Sequence, residues 1–415
     1  MQIVLWSLAL VSTTYAYSSG GSFPHVQPSP LVTEYEWKYF DYVWDSPAQR
    51  EAYVRSGRYN ASHMTPIDVD RSIDGRTFVT VIRDVGVPAS VHTVSNKRGP
   101  SGPLLKPYPD WSWYENVGNC NGITSVYRVA IDKCNRMWVL DTGIVGTDRI
   151  CPAQLLVFNL YTDRLLFKVK IPDDVAQNKN GEGLLITPIV ETYGNRCENT
   201  TVYIGDVRGN GLVIYNGFRA FRLEADVFDP EERNSNYNIA GESFYLDDGV
   251  LGMALSPIQY PGESRYLSFR PLASRSLYAA DTRVLQRSID GTRIKYYRGI
   301  DVLPSQASAQ AFSAEGTLFY GMTSEIAIGC WNMNRPLQAE YFKIAVQDKQ
   351  RLQFTSGLKV ISNPVLFPNG DEYLLMMTNR LQKIYAGTQN LNEINFRVLR
   401  APVRELIRNT VCDKY

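Results

Sequence analysis

A unit that recurs along the chain constrains its fold most: a short apolar strand, a polar turn carrying Asp, Asn or Gly, and a second apolar strand. One copy runs from Pro66 to Asp70, turns through Asp74-Gly75-Arg76 and returns over Thr77 to Ile82; another joins Tyr127 to Asp132 with Met137 to Asp141 through Lys133 to Arg136. Further copies centre on Val202 to Asp206 with Leu212 to Tyr215, on Met253 to Ser256 with Arg265 to Phe269, on Ala311 to Tyr320, and on Val365 to Leu375. Each reads as a β-hairpin, because strands of about five residues alternate with residues that tolerate turn dihedrals. Thr80, Asp141, Asp206, Asp281, Thr323 and Thr378 stand at roughly equivalent points, spaced 61, 65, 75, 42 and 55 residues apart. Six units of that size, each with room for a four-stranded sheet and a loop, predict an all-β chain folded as a six-bladed β-propeller. A large β-sandwich with long insertions is the alternative; the count of six and the scarcity of helix-period segments favour the propeller.

Charge narrows the partners. With 43 Lys+Arg against 42 Asp+Glu the net charge is +1, so the chain lacks the basic footprint that nucleic acids and anionic membranes require, and neither is expected as a partner. Met1 to Ala16 carries an apolar run from Ile3 to Val11 and ends Thr14-Tyr15-Ala16, a small-x-small pattern. This reads as a signal peptide cleaved before Tyr17, and the run is too short to span a bilayer. Residues 17–415 are then expected to form a single propeller domain, with an N-terminal arm and a C-terminal closing segment, secreted from the cell.

Cysteine usage fits that compartment. Cys120, Cys134, Cys151, Cys197, Cys330 and Cys412 are even in number and widely spaced, without a CxxC pair, which favours disulfides over a zinc site. Cys330 with Cys412, Cys120 with Cys151 and Cys134 with Cys197 is one pairing that keeps the bridges local; the sequence leaves others open. Asn60-Ala61-Ser62 and Asn199-Thr200-Thr201 are sequons in polar stretches, so Asn60 and Asn199 are candidate glycan sites.

The three histidines, His25, His63 and His92, are scattered, which leaves little material for a metal centre or a Ser-His-Asp relay. They read as surface residues, and neither metal nor cofactor is expected. Asp68, Asp70 and Asp74 lack the spacing of a calcium loop and, like Asp247-Asp248, read as turn residues. Gly209-Asn210-Gly211 precedes a strand, not a helix, and reads as a turn rather than a dinucleotide fingerprint. Among 26 Tyr, 16 Phe and 7 Trp, most must pack blade against blade, but a few at the channel could stack on an aromatic amine.

Several phrases carry a resemblance. Asn119-Cys120-Asn121-Gly122-Ile123-Thr124-Ser125 leads into Asp132-Lys133-Cys134-Asn135-Arg136 and Trp138-Val139-Leu140-Asp141-Thr142-Gly143; later come Cys151-Pro152-Ala153-Gln154, Asp248-Gly249-Val250-Leu251-Gly252-Met253 and Pro271-Leu272-Ala273-Ser274. Near the end stand Ile328-Gly329-Cys330-Trp331-Asn332, Leu352-Gln353-Phe354-Thr355-Ser356-Gly357 and Asn379-Arg380-Leu381-Gln382-Lys383. Together they resemble the insect yellow / major royal jelly protein family over nearly all of residues 17–415. The resemblance implies a secreted six-bladed propeller. It also implies several functions, since relatives are linked to melanin formation, to dopachrome conversion, to binding of biogenic amines or to nutrition, and fold alone does not choose. Two departures stand out: Arg270 where many relatives carry His before Pro-Leu-Ala-Ser, and Ala153 in place of a common second Pro. A mechanism that needs that His is not supported here.

Amine-binding relatives hold their ligand at the channel mouth through late blades, which points to Thr323, Ser324, Phe354 and Asn379 as ligand-binding residues. The expected function is binding of a small catechol- or indole-amine within the melanin and cuticle pathway. The alternatives are a dopachrome isomerase or tautomerase, which would need a general acid and base, and a structural, eggshell or nutritive extracellular protein.

Overall fold

The computed structural model describes residues 29–194, 196–258, 263–290, 293–362 and 370–413. Met1 to Ala16, Tyr17 and His25, and the Val365 to Asn369 part of the last predicted hairpin, lie outside them.

Six four-stranded antiparallel sheets form the six blades of a β-propeller. The first four take their strands in sequence order: Pro66–Arg71, Thr77–Val81, Val91–Gly99 and Gly102–Pro107; Val126–Ile131, Arg136–Asp141, Gln154–Asn159 and Arg164–Lys170; Leu185–Tyr193, Asn199–Asp206, Gly211–Tyr215 and Ala220–Glu224; then Val250–Leu255, Tyr266–Pro271, Leu277–Asp281 and Tyr297–Gly299. The fifth holds Ala307–Phe312, Thr317–Met322, Ala327–Asn332 and Lys343–Gln347. The sixth combines Thr355–Ser362, Glu372–Thr378 and Phe396–Pro402 with Val32–Trp37 from the start of the chain, which pairs with Phe396–Pro402 and closes the ring.

The first strand of each blade is innermost, and these six strands wall the channel. All six carry an irregularity of register at the same place, next to the first paired residue: between Pro66 and Val69, Val126 and Val129, Leu185 and Thr187, Val250 and Gly252, Ala307 and Gln310, and Thr355 and Gly357. A bulge unpairs a residue from the ladder and re-aims its side chain. Carbonyls freed in this way accept from side chains: Leu251 O from Thr187 Oγ1 at 2.8 Å, Ser308 O from Arg270 Nη2 at 2.7 Å and Ser356 O from Arg128 Nη2 at 2.6 Å.

Register corrects one expected equivalence. The residues paired with the first residue of each inner strand are Val81, Asp141, Asp206, Pro271, Met322 and Thr378, so Asp281 is displaced by one strand. Asp281 ends the third strand of its blade and caps the helix Thr282–Arg287, accepting from Arg283 N and Val284 N. Asp141 and Asp206 end second strands and clamp the loop that feeds their own inner strand, accepting from Thr124 N and Ser125 N, and from Leu184 N, each at 2.8 Å.

Two other expectations fail. Asp68 and Asp70 are not turn residues: both are buried on the inner strand of the first blade, and only Asp74 lies in the turn, where Ser72 donates to it. His92 is no surface residue either. It is fully buried on the third strand of that blade, 5.2 Å from the Tyr42 ring, and burial lowers its pKa to about 3. His63 is exposed, with Nδ1 2.7 Å from Val85 O. The bridges join Cys120 to Cys151, Cys134 to Cys197 and Cys330 to Cys412.

Candidate functional site

The loops that enter the third and fourth blades build a cavity at this end of the channel. Asp206 fixes the first of them through Leu184 N and also accepts from Gly209 N at 2.9 Å, so Gly181 to Gly183 and the turn Val207 to Asn210 stand side by side. Between them and Leu246-Asp247-Asp248 lies a cavity of about 710 Å³, completed by Ile144, Thr147, Arg149 and Pro230. It sits where the inner strands begin. Glu182, Asp247 and Asp248 supply carboxylates; Arg149, whose Nη2 donates to Gly183 O at 2.9 Å, and Arg208 supply cations.

Burial raises the Asp248 pKa to about 7, Arg208 opposing the shift and Asp247 adding to it. A carboxyl with proton affinity near neutrality inside a cavity is a common mark of a functional site. Tyr127 and Tyr385 lie close enough to feel both the Asp248 and the Arg208 charge, and their hydroxyl pKa values are raised mainly by burial. No aromatic side chain is among the described residues that line the cavity; the two tyrosines stand near its charges.

A hairpin of Asn236–Ile239 and Glu242–Tyr245 caps this mouth. It leaves the loop between the third and fourth blades and reaches the sixth, where Phe244 stacks on Tyr385 at 4.9 Å and Glu242 pairs with Lys383 at 2.9 Å. Gln306 Nε2 anchors its base, donating to Asn234 O at 2.7 Å and Asn236 O at 2.9 Å.

The four residues expected to bind ligand occupy the fifth and sixth blades at the same end of the channel. Thr323 is buried and its Oγ1 donates to Gln306 O at 3.0 Å; Ser324 beside it is exposed. Phe354 is buried among Leu352, Leu358 and Leu381, and Asn379 N donates to its carbonyl at 3.4 Å. The Asn379 Nδ2 donates to Pro66 O at 2.7 Å, while Oδ1 has no partner. Phe354 and Asn379 are thus brought together, Thr323 is one blade away, and none of the four lines the 710 Å³ cavity. Asp248 was readable in the sequence only as part of an acidic pair; nothing local marks Tyr127, Arg208 or Tyr385, which meet only when the ring closes.

At the far ends of the inner strands a smaller cavity of about 220 Å³ is lined by Asp70, Arg128, Gln310 and Lys359 among apolar residues such as Ile189 and Phe312. There Lys359 Nζ pairs with Asp68 Oδ2 at 3.0 Å and donates to Val129 O at 2.9 Å, joining three blades. Among the described residues no three His, Cys, Asp or Glu side chains group to hold a metal ion.

A family model described as major royal jelly protein matches residues 124–412. Major royal jelly protein 9 of Apis mellifera is 45% identical over 419 residues, 99% of this chain and 96% of that one. The chain belongs to the major royal jelly protein family. Major royal jelly protein 6 of the same species is 40% identical over 99% of this chain and 94% of its own length. Among solved structures, a virginiamycin B lyase from Staphylococcus aureus aligns over 82% of this chain and 96% of that one with a TM-score of 0.42 and 9% identity. Nothing of that lyase's activity is carried over. For this royal jelly family member, three internal disulfides agree with an oxidising compartment, and no helix among the described residues is long and apolar enough to cross a membrane.

Proposed function

We propose that this protein is a secreted, N-glycosylated binding protein that holds a small aromatic amine, of the catechol or indole class, at the capped mouth of its channel. The observation that carries this reading is the half-buried Asp248, set in a 710 Å³ cavity with Asp247 and with Tyr127 and Tyr385 at hand. An ammonium group is neutralised by the carboxylates, with the two tyrosines close to that charge. Thr323, Ser324, Phe354 and Asn379 extend the same end of the channel toward the sixth blade, where the Asn379 Oδ1 is an acceptor without a donor. The sequence pattern of Met1 to Ala16 and the three disulfides support secretion, and Asn60 and Asn199 are both exposed, as a glycan site requires.

Titration calorimetry with dopamine and serotonin tests the binding. Asp248→Asn is expected to weaken either ligand at least about tenfold; absence of heat with both amines removes the reading. Dopachrome conversion would rest on the same carboxyl as its acid or base, so dopachrome decay faster than in buffer and abolished by Asp248→Asn would favour catalysis. A nutritive or structural role is the second reading, favoured by relatives named as royal jelly proteins. Abundance in a glandular secretion without amine binding would select it.

A further inference from the structure

Arg270 is fully buried on the second strand of the fourth blade, paired in register with Gly252 on the inner strand. Its Nη2 donates to Ser308 O of the fifth blade at 2.7 Å, and its guanidinium carbon stands 5.8 Å from the centre of the Tyr320 ring. Among the described residues Nε and Nη1 have no acceptor and no carboxylate pairs with the guanidinium. Burial lowers its pKa to about 9, which still leaves it cationic at neutral pH. A buried charge with no counter-charge is costly enough that natural structures almost always pair it.

The surroundings are arranged to keep the guanidinium there. A Cβ on Gly252 would lie 2.7 Å from Ser308 O and 3.0 Å from Arg270 Nε, so the missing side chain is what makes the berth. Tyr237 of the capping hairpin packs with Leu251 and Leu272, residues close in sequence to Gly252 and Arg270. Its hydroxyl is also buried and without a partner. The unmet groups are two guanidinium nitrogens, which carry three N–H donors, and one hydroxyl, a set that an anion completes and a second cation or an apolar group does not.

We propose that Arg270, with Tyr237 in its neighbourhood, is a binding site for a small monovalent anion, chloride or the carboxylate of a small acid, in the channel wall between the fourth and fifth blades. The site lies beside the acidic cavity, since Tyr237 feels the Asp248 and Asp247 charges as well as that of Arg270, and the proposal does not depend on an amine binding there.

The test uses the full secreted chain, melted at constant ionic strength in sodium chloride, sodium acetate or sodium gluconate, with a bromide-grown crystal measured at the bromine edge. The expected results are a midpoint at least about 2 °C higher in chloride than in gluconate and an anomalous peak within hydrogen-bond distance of Arg270 Nε or Nη1. Acetate matching chloride assigns the site to small carboxylates as well; acetate behaving like gluconate assigns it to halide. Arg270→Leu should abolish the chloride dependence. Should that variant not fold, Tyr237→Phe, which keeps the stacked ring, should reduce the chloride shift at least by about half. A midpoint indifferent to the anion, or bromide found only away from Arg270, overturns the proposal.

Discussion

The two ends of the channel both hold carboxylates, yet they are built in opposite ways. Where the inner strands begin, Asp247 and Asp248 project from a loop into a cavity of about 710 Å³, and the Asp248 pKa rises to about 7. Where the strands end, Asp68 and Asp70 stand on the strand itself; Lys359 pairs with Asp68 at 3.0 Å, and the Asp70 pKa rises to about 6. Lys359 belongs to the sixth blade, Asp68 to the first and its second acceptor, Val129 O, to the second. The difference separates charge that joins blades from charge left for a visitor: the first is locked by partners on rigid strands, the second is displayed by loops.

The comparison breaks most sharply at Lys359. Lys359→Met strands Asp68, which is fully buried, and should cost about 3–5 kcal/mol in chemical denaturation. Asp248→Asn at pH 8 should leave stability unchanged or raise it. Equal losses for the two variants would mean that both ends are structural.

Acid titration sharpens it next. Asp248 and Asp70 hold protons in the folded state that the unfolded chain has released above its ordinary carboxylate range. Stability on their account therefore falls as pH rises from about 4, through about 7 for Asp248 and about 6 for Asp70, by at most about 1.4 kcal/mol per pH unit each. Asp248→Asn should flatten the profile as far as pH 7, whereas Asp70→Asn should flatten it only up to about pH 6. His92 acts in the other direction: its folded pKa of about 3 lies below the unfolded value, so its contribution is full above pH 6.5 and is lost as pH falls toward 3. His92→Leu should remove that acid sensitivity in a urea series run at several pH values.

Binding offers a smaller effect. Amine affinity should weaken as pH drops below about 7, by no more than about tenfold per unit, because Asp248 loses its charge. Asp70→Asn should leave calorimetric affinity alone; a matching loss would place the ligand at the wrong end. The smallest change is expected from Glu242→Gln, which weakens the half-buried tie to Lys383 and should cost under about 1 kcal/mol. Faster amide exchange confined to Asn236–Tyr245 would be its signature.

The blades were legible because a hairpin writes itself locally, in apolar alternation and in turn residues such as Asp74-Gly75. Asp281 misled because an aspartate at a strand end looks alike whether it caps a helix or clamps a loop; hydrogen-bond partners distinguish the two, and those partners are remote. Asp68 and Asp70 resembled turn residues for a related reason: an inner strand facing a polar channel carries charge where a solvent-facing turn would. His92, Tyr127 and Arg270 take their roles from neighbours in other strands or blades, and no local pattern encodes that. Thr323, Phe354 and Asn379 could be assigned to one end of the ring, but their contacts there are with carbonyls and packed side chains.

Closing the sixth blade with Val32–Trp37 has a consequence for how the chain is made. That strand leaves the ribosome first, and its partner Phe396–Pro402 comes almost last, so the ring cannot shut during most of synthesis. Pairings between such distant segments are slow to form. Trp37 and Phe40, which pack with Phe396 in the finished molecule, therefore lack that partner for most of synthesis. A truncation that removes either strand leaves the sixth blade unclosed and should lower the yield of folded protein.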